Sequence, residues 1–391
     1  MTCIGTPNYA LHNSGTPRLI YPLLAAGITL LFLLFGGKAR GEQPKADIRF
    51  TTVITKEPGR YIGWPTAAKT ASGELLSVFS GDRDEHVCPW GKTELVRSFD
   101  GGRTWSAPVT VNNTPLDDRD AGILVTAKGT IIVSWFTSLA FDDSNYTKYY
   151  PAEMVKSWKR HAEKLGPETR KQWLGSWIRR STDGCRTWED PVRVQGSAPH
   201  GPVQLRDGRL LYVGRVYFDA EPSLSAEESG DDGRTWRRIG TIPLPPGDTI
   251  ANYHEPHAVE TERGQIVVLI REEARNVMMQ SESYDGGMTW TTAHSTGIWG
   301  CPPHLLRLRD GRLVVVYGYR REPFGERSCI STDSGTTWDA AHPIAIAPAF
   351  DGDLGYPASV ELDDGSIFTV YYQKDKPGEK TCLMGTCWQL K

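Results

Sequence analysis

A dominant charge is the first thing this sequence lacks. Lysine and arginine number 44 against 47 acidic residues, a formal net charge of −3 over 391 residues. Without a surplus of either sign there is no long-range field to draw in a nucleic acid or an acidic membrane surface, so neither is expected as a partner on electrostatic grounds. Cysteine is sparse, with seven residues. No pair of cysteines has zinc-ligand spacing to a second pair, which argues against a cysteine-based metal site. No metal and no cofactor is expected. Cys88, Cys185, Cys301, Cys329, Cys382 and Cys387 would be available for disulfides in an oxidising compartment, and Cys382 and Cys387 lie close enough in sequence to staple the C-terminal strand.

Leu19 to Gly37 is almost wholly apolar, with Arg18 before it and Lys38 and Arg40 after it. Its length suits a signal-peptide core or a membrane anchor. The basic residues downstream favour retention, while the small residues Gly36, Gly37 and Ala39 permit cleavage, the preferred outcome. Residues 1–41 are therefore expected to act as signal peptide or membrane attachment. Residues 42–391 are expected to form one globular unit outside the cytoplasm, periplasmic, secreted or anchored facing outward.

Glycine (40), proline (26) and tryptophan (13) are plentiful, the composition of a turn-rich, aromatic-rich β protein. An eight-residue pattern, Ser-x-Asp-x-Gly-x-Thr-Trp, recurs at Ser98–Trp105, Ser181–Trp188 (with Cys185 for the glycine), Ser229–Trp236, Ser283–Trp290 and Ser331–Trp338. Each reads as a hairpin turn in which Asp and Gly make the turn and Trp packs between sheets, a structural and not a catalytic role. A second, looser repeat places a turn ending in Gly73, Gly129, Gly208, Gly264, Gly311 and Gly365 between apolar, β-rich stretches. Six hairpins with five boxes between them, at a spacing of about fifty residues, imply six four-stranded units: an all-β, six-bladed β-propeller. The interval from Gly129 to Gly208 is longer than the others. Pro151 can open a helix over Ala152–Leu165, Gly166-Pro167 breaks it, and Glu168–Leu174 suits a further helical turn. These signals predict a small helical insertion in blade two, over about 142–177.

In such a blade the Gly turns and the boxes share one face. The starts of the first strands and the ends of the second strands then converge on the other, around the axis. Entering the first strands are Trp64-Pro65, Arg119-Asp120, His200-Gly201-Pro202, His254-Glu255-Pro256-His257, Pro302-Pro303-His304 and Gly355-Tyr356-Pro357. Leaving the second strands are Asp82-Arg83-Asp84, Thr137-Ser138, Arg215, Arg271-Glu272-Glu273, Tyr319-Arg320-Arg321 and Tyr372-Gln373. This concentration of carboxylates, Arg, His and Tyr marks the pocket. Tyr146, Tyr149, Tyr150, Trp158 and Trp173 of the insertion could wall it for a sugar.

With these residues in view, the chain after its export segment resembles the sialidase superfamily. The boxes carry the fold. His254-Glu255-Pro256-His257-Ala258-Val259-Glu260, running on to Arg271, resembles the segment with a catalytic Glu and a carboxylate-binding Arg. Gly355-Tyr356-Pro357-Ala358-Ser359-Val360 resembles the segment with the nucleophilic Tyr. The resemblance implies an exo-glycosidase removing terminal sialic acid or a related acidic sugar from extracellular glycans. Tyr356 would be the nucleophile, Glu255 its base and Arg271 with Arg320 or Arg321 the carboxylate clamp. The acid is expected among Asp82, Asp84, Glu85 and His86, with Asp84 taken for the role, and Arg83, Arg119, Asp120 and His254 at the substrate. In Tyr61-Ile62-Gly63-Trp64-Pro65, Trp64 stands where the family has an arginine, which leaves a different acidic or neutral sugar open. Two further alternatives stay open: a two-carboxylate glycosidase using Asp120, Glu255 or Asp84 with Tyr356 only binding, and a glycan-binding propeller without activity. A metal held by His200, His254, His257 and His304 is a weaker reading.

Overall fold

A computed structural model of the chain describes residues 44–217 and 221–391. The expected export segment, residues 1–41, lies outside the described residues, and among the described residues no helix is long and apolar enough to cross a membrane. Six antiparallel sheets form, one for each Gly-turn hairpin. Their innermost strands begin at Tyr61, Asp117, Gly196, Tyr253, Cys301 and Gly355.

The core is divided into layers between blades. Each of the six blade-to-blade junctions holds its own cluster of buried apolar side chains. A strand sandwiched between two neighbouring blades must be apolar on both faces, which is why Leu313–Tyr319 reads as a nearly continuous apolar run. The box tryptophans reach back into these layers. Trp188, Trp236, Trp290 and Trp338 each pack against the preceding blade, and Trp105 packs on Phe368 of blade six, with ring centroids 5.8 Å apart. Of these Trp290 is buried, 8% exposed, whereas Trp105 is half-buried.

The box geometry follows its residues. Asp100 accepts from the backbone N–H of Arg103 and Thr104 (3.0 and 2.9 Å) and from the Thr104 hydroxyl (2.6 Å). These donors favour the ionised form and hold the carboxylate at about 2. At Gly102 the backbone takes φ +89° and an added Cβ would lie 2.2 Å from the Phe368 ring, so both conformation and space call for glycine.

Blade six has no box because its fourth strand comes from the other end of the chain. Ala46–Thr55 pairs antiparallel with the last strand, Thr381–Leu390, from Ala46 opposite Leu390 to Thr55 opposite Leu383. First and last strands thus close the ring. Cys382 and Cys387 both sit in that last strand, separated by an odd number of positions, so they point to opposite faces and cannot staple it. All six cysteines among the described residues are free thiols.

The insertion of blade two holds helices at Ser144–Thr147, Ala152–Ala162 and Pro167–Trp173, as the Pro151 and Gly166-Pro167 signals require. Its aromatics serve mainly its own packing. Phe141 and Trp158 are fully buried with Ala162 and Val87, and Tyr146 and Tyr150 pack around them. Trp173 packs on Trp177, centroids 5.5 Å apart, and Tyr149 is exposed.

Candidate active site

Five of the six innermost strands share one irregularity. Register slips between Gly63 and Thr66, Arg119 and Gly122, His254 and His257, Cys301 and His304, and Gly355 and Ala358. At four of these bulges a non-glycine residue adopts left-handed backbone: Trp64 (φ 55°), Asp120 (52°), Glu255 (52°) and Tyr356 (50°). A left-handed backbone at a bulky residue costs on the order of 1–3 kcal/mol and persists where surrounding structure enforces it, commonly at functional sites. Bulges re-aim side chains, and these four are brought together at the axis.

Tyr356 packs with Tyr61, Trp64 and Tyr372, its ring 6.3 Å from Trp64 and 6.0 Å from Tyr372. Its hydroxyl donates to Glu255 Oε1. Both Glu255 oxygens also accept from Arg271 Nη1, at 3.1 and 2.9 Å. Burial by itself would raise the Glu255 carboxyl, but the Arg271 charge and then the Tyr356 hydroxyl outweigh it, and it lies below the usual carboxylate value. Tyr356 is pushed well above the ordinary phenol value by burial and then by the charges of Glu255 and Asp120. The resting pair is therefore a neutral phenol hydrogen-bonded to an ionised carboxylate, and proton transfer has to accompany attack.

Arg271 also faces Glu273 at 3.6 Å, and Glu273 faces His254 at 3.4 Å. Arg320 donates from Nε to the Leu354 carbonyl (3.0 Å), contacts the Tyr372 hydroxyl at 3.5 Å, and lies 5.8 Å from the Tyr356 ring centroid. Arg321 is separated from it: exposed, it stacks on Trp299 at 4.2 Å and donates to the Tyr319 hydroxyl. His86 ties the charges together. Burial lowers its ring well below the ordinary histidine value, and Arg119, Arg83, Arg320 and Arg271 add to the effect. Arg83 and Arg119 face Asp117, which leaves Arg271 and Arg320 as the cations beside Tyr356.

Three residues expected at the reaction or the substrate are engaged in contacts that hold the blades together. Arg83 is fully buried, donates to both Asp117 oxygens (2.5 and 2.9 Å) and to the His86 carbonyl, and lies 4.8 Å over the Trp64 ring. Arg119, 3% exposed, lies 4.5 Å over the same ring and donates to the His86 carbonyl. Asp84, taken for the acid, accepts from Arg60 on one oxygen and from the Trp90 and Trp158 indoles (2.7 and 2.9 Å) on the other. It pins the insertion to blade one. Asp82 is salt-bridged to Arg60 and Lys92, and Glu85 to Lys380. These partners come from segments remote in the chain, such as the insertion, so strand-end position alone did not reveal them.

His254 stands apart from the other histidines, with Glu273 and Arg215. His200, His257 and His304 do converge, ring centroids 4.5–5.5 Å apart, in a layer next to Tyr356. The hydrogen bonds of His257 and His304 oppose metal binding. His257 Nδ1 accepts from the Leu305 N–H (2.9 Å) and His304 Nδ1 from the Ser359 N–H (3.4 Å), each from the next blade. A neutral ring accepting at Nδ1 carries its proton on Nε2, which is then no ligand. Burial lowers all three rings below the ordinary value, so they stay neutral and stitch blades.

A model of the BNR repeat-like domain matches residues 162–369, over half of the chain. The chain belongs to the BNR repeat-like domain family. Within it, this propeller is related to the sialidases. A sialidase from Bacteroides fragilis is 22% identical over 350 residues, covering 78% of this chain and 59% of that protein. A xyloglucanase from a Paenibacillus species is 28% identical over 209 residues, 46% of this chain and 19% of that protein. The chain therefore spans under two thirds of the length of either relative. A crystal structure of a Dyadobacter fermentans protein of unknown function superposes with a TM-score of 0.73 at 23% identity, over 88% of this chain and 99% of that one, a likeness of fold. The BNR propeller thus has glycoside hydrolases among its distant relatives.

Proposed function

We propose that this BNR propeller is a retaining exo-glycosidase of the sialidase type, which releases terminal sialic acid or a related acidic sugar from extracellular glycans. The observation that carries the reading is the Tyr356 hydroxyl donating to Glu255 while Arg271 holds both Glu255 oxygens. A scaffold requires no such pair. A sugar bearing a carboxylate at its reacting carbon repels an anionic nucleophile, which favours a neutral phenol with a base behind it, and tyrosine is the known exception to the two-carboxylate scheme. Arg271 and Arg320 supply charge for the sugar carboxylate. The apolar run Leu19–Gly37 would carry the propeller out of the cytoplasm, where such glycans are displayed.

Trp64 favours a second reading with the same catalytic pair. It is fully buried in an aromatic wall with Tyr61 and Tyr372, where the sialidase resemblance calls for a third arginine. Its burial keeps Trp64 from the sugar, and what favours the second reading is the arginine it replaces: a weaker carboxylate clamp suits a neutral glycan. One experiment separates the two. The chain from Gly41 onward is assayed on fluorogenic sialosides beside uronic acid, fucose and rhamnose glycosides, with Tyr356→Phe as control. Sialoside turnover lost in Tyr356→Phe supports the first reading. Turnover only of another glycoside, again lost in Tyr356→Phe, supports the second. Activity surviving Tyr356→Phe refutes both.

A further inference from the structure

Behind the nucleophile, between blades five and six, lies a carboxyl that the attack on the sugar does not use. We propose that Glu326 is a positioning residue for Tyr356: its carboxyl holds the Gly355 N–H, and with it the bulge that aims the phenol at the axis, a role that rests on the sialidase-type reading of Tyr356.

Glu326 is fully buried near the start of the strand Gly325–Ser331. It pairs across the sheet with Gly318, and residues directly opposite one another in an antiparallel pair project from the same face. Gly318 identifies that face. A Cβ there would lie 2.9 Å from the Cα of Gly355, in the first strand of blade six, so the face meets the bulge that carries Tyr356. With glycine at both 318 and 355, no side chain stands between the carboxyl and the bulge, and the long Glu326 side chain has room to cross. Its carboxyl faces the Gly355 N–H and the Arg320 guanidinium. On the second strand of blade six, Tyr371 and Tyr372 also feel its charge. Arg320 donates to the Leu354 carbonyl at 3.0 Å, and its Nη2 would lie 3.2 Å from a Cβ at Gly355. Arg320 and Glu326 thus grip the chain just before Tyr356 from one side.

That segment needs holding. Gly355 takes φ +125° and Tyr356 50°, and left-handed backbone at a tyrosine persists only where its surroundings enforce it. The register breaks between Gly355 and Ala358, so no ladder partner restrains Tyr356 itself. A buried carboxyl is also a destabilising way to fill a layer between blades, since an apolar side chain of that volume would pack there without the desolvation penalty. Burial favours the neutral form of Glu326. In that form it accepts from Gly355 without cancelling the Arg320 charge that faces the substrate.

The test compares Glu326→Gln, which keeps a neutral acceptor, with Glu326→Leu, which removes it at similar volume. Each is measured beside wild type for kcat and KM on the preferred glycoside, for Tm, and for hydrogen exchange of the peptide carrying Gly355 and Tyr356. Glu326→Gln is expected to stay within a few-fold of wild type in every measurement. Glu326→Leu is expected to lose about 10-fold or more in kcat and to exchange the Gly355 amide about 10-fold faster, at a Tm equal to or above wild type. Wild-type kcat and exchange in Glu326→Leu, or a Glu326→Gln variant as impaired as Glu326→Leu, overturn the assignment. A fall in Tm that accounts for the lost activity makes Glu326 a packing residue and overturns it as well. Activity surviving Tyr356→Phe, or wild-type silence on every glycoside, removes the proposed function, and exchange at Gly355 then still decides whether Glu326 holds the bulge.

Discussion

Replacing Arg83 by methionine should damage the fold and spare the substrate. Arg83 and Asp117 are both fully buried and joined by two charged hydrogen bonds across blades one and two. Removing the cation leaves Asp117 with only Arg119, 3.6 Å away, as a charge partner in a low-dielectric site, and breaking a buried pair costs about 3–5 kcal/mol. Unfolding entropy of about 2.1 cal/mol/K per residue gives roughly 0.7 kcal/mol/K for a propeller of this size, so Tm should fall by about 4–7 °C. The double variant Arg83→Met with Asp117→Asn should recover most of the loss, because it removes the buried charge that Arg119 alone only partly offsets. Calorimetric unfolding of the two variants beside wild type measures this, and KM on the preferred glycoside should stay within a few-fold. An unchanged Tm with a large rise in KM would refute the structural role and return Arg83 to the substrate.

Asp120→Asn should raise Tm at pH 8 and leave it nearly unchanged at pH 4. A carboxyl at about 7 in the folded chain and 3.8 in the unfolded one leaves stability whole below the unfolded value; it erodes as pH rises toward 7 and is fully lost above, at most about 4 kcal/mol. Equal Tm changes at both pH values would contradict this. Trp290→Ala should destabilise by about 3–5 kcal/mol and Trp105→Ala by distinctly less, since only the first is buried; denaturant titration ranks the two, and the reverse order would count against the inter-blade role. Glu255→Gln should lower kcat by about 100-fold or more in a chain that still folds, and a variant with wild-type kcat would remove Glu255 from the chemistry.

The propeller was legible because its punctuation is local. Each box and each Gly turn encodes its own hairpin within a few residues, and counting them counts the blades. Ring closure was not, since the pairing of Ala46–Thr55 with Thr381–Leu390 depends on contacts between the two ends of the chain. Strand-end reasoning brought Glu255, Arg271, Arg320, Asp120 and Tyr356 to one place because the topology forces those ends to converge. It did not show how Arg83, Arg119 and Asp84 are held, because their contacts depend on Asp117, His86, Trp64 and the insertion. Nor does a sequence announce that Asp120, Glu255 and Tyr356 adopt left-handed backbone, because none of them is glycine. Glu326 gave no signal either: it lies near the start of the strand Gly325–Ser331, fully buried, and burial pushes its carboxyl well above the ordinary value.

The central claim is that Tyr356 attacks the sugar. The most direct test is to incubate the chain with a fluorinated glycosyl fluoride of the sugar it turns over, which slows the second step, and then to locate any adduct by peptide mass spectrometry. A Tyr356 nucleophile predicts one sugar per chain, on the peptide carrying Tyr356, and none in Tyr356→Phe. A stable adduct on Asp120, Glu255 or another carboxylate would contradict it and establish a two-carboxylate mechanism instead.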